Sequence, residues 1–193
     1  MDFLQKNKFL RKAMYKIGVG RGKKLVSSFE KFCNKGERIL DIGCGTCNIT
    51  EILSNKGFNI SPLDIRDVSV VDGINPLIYD GERVPFKDNE FDKSIILTVL
   101  HHTPNPVEIL KEAKRVSQEI IIIEDVYSNW FGKYWTYFFD SLFNLEFFGH
   151  PHSNKSDREW KEVFNDLGLK LVDTQYFRTF LVFKLATYYL VKS

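Results

Sequence analysis

The feature that most constrains the fold is an apolar run that ends in an aspartate and opens into a glycine turn, RILDIGCGTCNIT at residues 38–50. Ile39, Leu40 and Ile42 predict a short buried strand, and the apolar residues after the turn recur at helical spacing. Glycine permits the tight backbone of such a turn and lets a ligand lie against the main chain. The unpaired amides at the start of the next helix favour an anionic group of that ligand. The stretch therefore predicts a strand, a turn and a helix that hold a nucleotide-type cofactor.

Two common nucleotide-binding patterns do not fit this turn. The dinucleotide pattern G-x-G-x-x-G/A requires a small residue at position 48, where the chain has Asn48. A P-loop requires Gly-Lys-Ser/Thr after the turn, and the sequence contains no such triplet.

The turn resembles the first motif, D/E-x-G-x-G-x-G, of the class I S-adenosylmethionine-dependent methyltransferases, in particular the methyltransferase type 11-like group. Cys47 stands where the third glycine of that motif is expected, and cysteine is small enough for the amino-acid end of the cofactor still to fit. The resemblance implies a cofactor-binding loop made of Asp41, Gly43, Cys44, Gly45 and Cys47.

A second acidic residue follows at the expected distance. Asp64 ends the strand candidate at 58–64 and lies 23 positions after Asp41. An acid about twenty residues beyond a glycine turn suits a carboxylate that accepts hydrogen bonds from both ribose hydroxyls. We therefore predict Asp64 and the adjacent Ile65 as cofactor-binding residues, with Asp67 and Asp72 as competing positions for the acid.

The later motifs of the family follow in order. Residues 77–86 resemble its third strand, so the resemblance implies that Asp80 accepts from the adenine amino group, beside Gly81. The turn PFKDNEFD at 85–92 then leads into a strand that carries Thr98, a further implied cofactor contact, and ends near paired histidines. The resemblance covers about residues 36 to 126.

The predicted fold is α/β: a Rossmann-like, doubly wound, mostly parallel seven-stranded sheet with an antiparallel last strand. A buried strand at 120–125 and a C-terminal order of helix, strand and strand match the family. Ser156 to Glu159 predict a capping box at the start of that helix. Between Asp64 and Asp80 the chain is too short for a full crossover helix, so we predict only a turn there, around residues 68–71.

The whole chain, 1–193, is predicted to form one methyltransferase domain with two additions. Residues 1–35 predict an amphipathic helix, a glycine-rich break and a second helix, which together form a cap or lid. Contact of this basic segment with an anionic membrane surface is the alternative. Residues 127–155 are predicted to form an aromatic insertion over the strand ends, interpreted as core packing, as the wall of a pocket or as a contact for a partner or membrane interface.

Composition excludes several functional classes. The net charge of +2 argues against a strongly basic nucleic-acid binder. No apolar run is long enough for a membrane span, and the first residues do not resemble a signal peptide. We therefore expect a cytoplasmic protein, and the sequence leaves its oligomeric state open.

The three cysteines also admit another interpretation. Cys44 and Cys47 form a C-x-x-C pair, which can be a redox pair or half of a zinc site. The sequence has no second C-x-x-C, and the methyltransferase motif already accounts for this loop. We therefore predict no metal.

The resemblance implies methyl transfer from S-adenosylmethionine, with S-adenosylhomocysteine as product. We predict a small-molecule acceptor, aromatic or lipophilic. An RNA or protein methyltransferase, or a non-catalytic subunit that binds the cofactor and a partner protein, remain the alternatives. His101 and His102 are the nearest candidates for a general base, and family-typical packing is the competing interpretation.

Overall fold

The computed structural model describes residues 8–126, 155–179 and 183–193. The strands in these ranges are β1 (Arg38–Ile42), β2 (Asn59–Asp64), β3 (Leu77–Ile78), β4 (Phe91–Leu97), β5 (Ser117–Asp125), β6 (Leu169–Thr179) and β7 (Phe183–Lys192). They form one sheet in the order β3-β2-β1-β4-β5-β7-β6. The first five strands pair in parallel, whereas β7 is antiparallel to both of its neighbours. The predicted fold, including its antiparallel last strand, is confirmed.

Helices pack on both faces of this sheet. They are α1 (Lys8–Phe29), α2 (Asn48–Asn55), α3 (Pro106–Val116) and α4 (Asp157–Asp166), with short 3-10 turns at Glu30–Phe32 and Leu100–His102. The predicted capping box of α4 is present, because Ser156 Oγ accepts from the Glu159 amide and the Glu159 side chain accepts from the Ser156 amide.

The isoleucine run of β5 shows how the core is divided. Ile120 and Ile122 lie on the face covered by α3 and α4, while Ile121 and Ile123 lie on the face covered by α1 and α2. All four side chains are fully buried. A strand buried on both faces is apolar at every position rather than at alternate ones, which explains why this stretch has no polar alternation.

The predicted break between two N-terminal helices is wrong, since α1 is one continuous helix of 22 residues. Gly18 and Gly22 lie one turn apart on the face that packs against α2. A Cβ atom at Gly18 would lie 2.0 Å from Asn48 Oδ1, and one at Gly22 would lie 2.8 Å from Ile52 Cδ1. These glycines therefore permit close helix–helix packing instead of ending the helix. Gly20, on the outer face, meets no atom within 4 Å.

The connection between β2 and β3 contains no helix, as predicted. Residues 65–76 form bends, a turn and segments without regular secondary structure, and β3 has only two residues. The segment is bound to α1 instead, because Arg11 Nη2 lies 2.6 Å from Asp72 Oδ1.

A buried lysine lies near the amino end of β4. Lys93 is 1% exposed, and its ammonium lies 3.3 Å from Glu37 Oε2 and forms a second ion pair with Glu119. The Tyr189 hydroxyl also donates to Glu119, at 2.7 Å. Two carboxylates thus compensate one buried cation. This cluster lies at the amino ends of the strands, whereas the glycine turn lies at their carboxyl ends.

The described part of the chain contains no helix that combines the length and the hydropathy needed to cross a bilayer.

Candidate functional site

The carboxyl ends of the parallel strands bring the predicted cofactor residues to one edge of the sheet. Parallel α/β sheets bind their ligands at this edge. The residues come from the carboxyl ends of four adjacent strands: Asp41 in β1 with Gly43, Cys44, Gly45 and Cys47 after it, Asp64 at the end of β2 with Ile65 after it, Asp80 and Gly81 after β3, and Thr98 after β4.

The two glycines of the loop after β1 serve different purposes. Gly43 has φ 75°, and a Cβ atom there would lie 2.6 Å from Val99 Cγ2, so the residue allows β1 and the β4 loop to approach. Gly45 has φ 52°, and a Cβ atom there would meet nothing within 4 Å. The space over Gly45 is therefore open to a ligand.

Cys47 has a left-handed backbone conformation, which glycine adopts more easily than other residues. This accounts for the glycine that the family motif has at this position. Cys47 has φ 60°, in the left-handed region, and immediately precedes α2 as its N-cap. A non-glycine residue there costs roughly 1–2 kcal/mol. Its side chain is fully buried and does not cap the helix. The first amides of α2 therefore have no side-chain acceptor from this residue and can receive an anionic group.

Asp41 is a buried acid behind the loop. It is 2% exposed, and Thr50 Oγ1 donates to its Oδ2 at 2.8 Å. Burial raises the pKa of Asp41 from 3.8 to about 7, opposed by the Thr50 hydrogen bond and assisted by the charge of Asp64. A cation placed at this loop would favour the ionised form of Asp41.

Asp64 joins the second strand to the glycine loop. Its Oδ2 accepts from the Gly45 amide at 2.8 Å, and its Oδ1 accepts from the amides of Ile65 and Arg66 at 2.7 and 3.3 Å. A carboxylate has about four acceptor positions, so Asp64 retains capacity for a ligand hydroxyl.

Asp80 and Ile65 line the more open side of the site. Asp80 Oδ1 accepts from the amides of Glu82 and Arg83 at 2.8 and 3.0 Å, and these bonds lower the pKa of Asp80. Ile65 is 57% exposed and lies near Gly81, where a Cβ atom would be 3.2 Å from Ile65 Cγ2. An exposed aliphatic side chain beside an ionised carboxylate suits a flat ring that carries an amino group.

The two cysteines of the C-x-x-C pair are buried and are not joined by a disulfide. The Cys44 and Cys47 Sγ atoms are 3.6 Å apart, and they pack with Val71 and Tyr15. Hydrogen bonding between the two thiols lowers the pKa of Cys47 and raises that of Cys44. Across residues 8–126, 155–179 and 183–193, no group of three or more potential ligands could hold a metal ion.

Helix α1 covers one side of the loop through contacts that the sequence did not reveal. Arg21 Nη2 donates to Thr98 Oγ1 at 3.1 Å, and the Tyr15 hydroxyl donates to Glu51 at 3.1 Å. Thr98 itself has φ 57° where the chain leaves β4. The only sequence signal for this arrangement is the four-residue spacing of Gly18 and Gly22, which is uninformative until the partner helix is known.

Asn48 was also missed as a candidate ligand. It is buried at the first position of α2, and its Oδ1 accepts from Thr46 Oγ1 at 2.8 Å. Its Nδ2 is buried without a hydrogen-bond partner. A buried amide donor left unsatisfied costs free energy, so an acceptor supplied by a ligand at this loop would stabilise the site.

The paired histidines lie in the 3-10 turn after β4. His101 is 4% exposed, and its Nδ1 lies 2.5 Å from Oε2 of the fully buried Glu124. The other Glu124 oxygen accepts from the Val99 and Leu100 amides at 3.0 and 2.7 Å. His102 is only partly buried, with its ring centroid 4.0 Å from that of His101. The structure thus holds His101 in place and leaves His102 as the more accessible of the two.

Comparison with known proteins agrees with this architecture. Residues 40–119 match the family model described as a methyltransferase domain. An uncharacterised protein of Methanocaldococcus jannaschii is 38% identical over 92 residues, which are 47% of this chain and 44% of that protein. The demethylmenaquinone methyltransferase of Bacillus subtilis is 29% identical over 132 residues, which are 60% of this chain and 57% of that protein. The chain thus spans about half the length of the curated relatives it matches.

A solved structure shares this fold. The magnesium protoporphyrin IX methyltransferase of Synechocystis PCC 6803, with bound S-adenosylhomocysteine, superposes with a TM-score of 0.68 at 16% identity. The match covers 100% of this chain and 97% of that one.

Proposed function

We propose that this chain, a class I S-adenosylmethionine-dependent methyltransferase by its domain and fold, binds S-adenosylmethionine at the carboxyl edge of β1 to β4. We propose further that it methylates a small lipophilic molecule. The observation that carries the proposal is the open space over Gly45, bounded by the uncapped start of α2 and by the carboxylate of Asp64.

The donors and acceptors at this edge fit the chemical groups of the cofactor. The first amides of α2 and Asn48 Nδ2 would hold its carboxylate, and Asp41 would balance its ammonium. Asp64 would accept from the ribose hydroxyls, Asp80 from the adenine amino group, and Ile65 would contact the adenine ring. These roles are proposals for each residue.

When bound, the cofactor supplies an electrophilic methyl group on a sulfonium centre. The chain contributes alignment of the acceptor and exclusion of water. If the acceptor is a hydroxyl, a base must take its proton. Glu124 can hold a proton on His101 Nδ1, which leaves His101 Nε2 as an acceptor, while His102 is the more accessible alternative.

The proposed acceptor class is supported by one of the relatives and by the sequence. The relative from Bacillus subtilis is named for demethylmenaquinone, a lipophilic quinone. The segment at 127–155, which the sequence analysis interpreted as core packing or as a pocket wall, is rich in aromatic residues and lies, apart from Lys155, outside the described residues.

The cofactor part can be tested by isothermal titration of S-adenosylmethionine and S-adenosylhomocysteine into the protein. Asp64→Asn should weaken binding by about tenfold or more, because about 1.4 kcal/mol of lost interaction corresponds to a factor of ten. Asp88→Asn is the matched control, since Asp88 is a mostly exposed acid paired with Arg115. Absence of binding by the folded wild type would refute the cofactor site.

The acceptor part requires a separate measurement. Transfer of labelled methyl groups from S-adenosylmethionine to demethylated quinones with short isoprenoid tails is the expected result. If cofactor binds but label enters only RNA or protein in a total extract, the small-molecule assignment is wrong while the cofactor site stands.

A further inference from the structure

Helix α1 concentrates the positive charge of the chain. Its 22 residues include seven Lys or Arg and no Asp or Glu. The whole chain has a net charge of only +2, so the remainder is net negative. The cations are Lys8, Arg11, Lys12, Lys16, Arg21, Lys23 and Lys24.

Three of these cations anchor the helix to the domain. Arg11 pairs with Asp72, Arg21 donates to Thr98, and Lys24 donates to the Arg178 carbonyl. The other four side chains belong to exposed residues and form no ion pair within the described part of the chain. They are Lys8, Lys12, Lys16 and Lys23.

Two large apolar side chains lie among these lysines. Phe9 is 80% exposed and Ile17 is 65% exposed, the highest values among the large hydrophobic residues of the described chain. They are eight residues apart, which corresponds to about 12 Å along a helix. Helical periodicity puts both on the side away from Gly22 and Leu25, which are buried against the domain. This outward face, defined by Phe9, Lys12, Lys16, Ile17 and Lys23, therefore combines positive charge with apolar side chains.

We propose that the outward face of α1 binds the surface of a bilayer that contains anionic phospholipid. Charge complementarity supports this partner, because clustered lysines are attracted to anionic headgroups. The exposed apolar side chains distinguish a bilayer from a purely polyanionic partner, since they can enter the boundary between headgroups and acyl chains. Nucleic acid would use the lysines but would leave the aliphatic side chain of Ile17 in water.

Bilayer contact through this face has a geometric consequence for the site. The same helix contacts the residues beside the glycine loop, through Tyr15 to Glu51 and Arg21 to Thr98. A bilayer bound to its outer side therefore lies one helix away from the proposed cofactor edge. The inference concerns binding alone and does not depend on which acceptor is methylated.

The test is co-sedimentation of the full chain with phosphatidylcholine vesicles that contain or lack phosphatidylglycerol. The wild type should bind only the anionic vesicles, and Lys12→Glu/Lys16→Glu/Lys23→Glu should lower the partition coefficient about tenfold or more. The Phe9→Ser/Ile17→Ser variant should also bind more weakly. Thermal denaturation verifies that each variant is folded.

A charge-matched control uses exposed lysines on other parts of the surface. Lys87→Glu/Lys111→Glu/Lys170→Glu changes the net charge equally and should bind within about twofold of the wild type, because these lysines lie outside α1. Equal loss in this control, or unchanged binding by the Phe9→Ser/Ile17→Ser variant, would overturn the proposal. The proposal would also be overturned if the wild-type protein bound transfer RNA in a salt-sensitive manner but did not bind anionic vesicles.

Discussion

Replacing Asp41 by Asn tests whether a buried carboxyl lies behind the cofactor loop. Burial raises the folded-state pKa of Asp41 to about 7, against an ordinary value of 3.8. An acid whose pKa is raised by folding stabilises the folded state only while it stays protonated. That contribution is complete below the unfolded-state pKa and is lost as the pH rises through about 7.

The size of the effect follows from the interval between the two pKa values. Each pH unit in that interval corresponds to about 1.4 kcal/mol, so the wild type should lose up to about 4 kcal/mol relative to Asp41→Asn between about pH 4 and pH 8. The asparagine can still accept from Thr50 but never becomes charged. The variant should therefore match the wild type at low pH and exceed its stability at high pH.

Urea unfolding without cofactor at both pH values measures this difference, with Asp88→Asn as a surface control for the loss of one negative charge. The control should show no comparable gain at high pH. A free-energy difference between Asp41→Asn and wild type that is the same at both pH values would refute the burial argument.

Three further predictions concern packing and buried charge. Gly18→Ala should lower the unfolding free energy by roughly 1–3 kcal/mol because its Cβ overlaps the neighbouring helix, whereas Gly20→Ala, which meets nothing, should raise it by roughly 0.4–1 kcal/mol. His101→Ala should cost roughly 2–3 kcal/mol by leaving one oxygen of the buried Glu124 carboxylate without its His101 partner. His102→Ala should reduce methyl transfer with little loss of stability if His102 is the base. Lys93→Met should cost roughly 3–5 kcal/mol by removing the cation between two acids.

Thermal and urea unfolding of purified variants measure these stability effects, and initial rates with an identified acceptor measure the histidine effect. Equal stability of the two glycine variants would contradict the helix-packing argument. A lysine variant as stable as wild type would mean that the ion cluster does not compensate a buried charge. Loss of stability at position 102 equal to that at 101 would remove the distinction between the two histidines.

The sequence predicted most of the sheet because its strands are short apolar runs that end in polar residues. The Ile39–Ile42 strand, the isoleucine run of β5 and the Ser156 capping box were all identified from local pattern. Each of these signals lies within about ten consecutive residues, so local chemistry is sufficient to specify them.

The features that the sequence analysis did not predict depend on residues that are distant in the sequence. The glycines of α1 indicated a break because their packing partner, α2, lies about thirty residues later. Glu124 lies in the strand predicted at 120–125, and only the fold shows that it binds His101 and two amides of the loop after β4. The candidate cofactor residues were predicted from a recurrent motif rather than from periodicity.

The two edges of the sheet differ in their exposure to aggregation. β3 offers only two residues of edge, whereas β6 has eleven and pairs within the described chain with β7 alone. An unpaired edge is a template for another chain. β6 carries Lys170, Asp173 and Arg178, and a register shift between Leu171 and Asp173 interrupts its regular pairing. The longer edge is thus also the charged and irregular one, so neutralising those three side chains is the change most expected to make the domain self-associate through its strands.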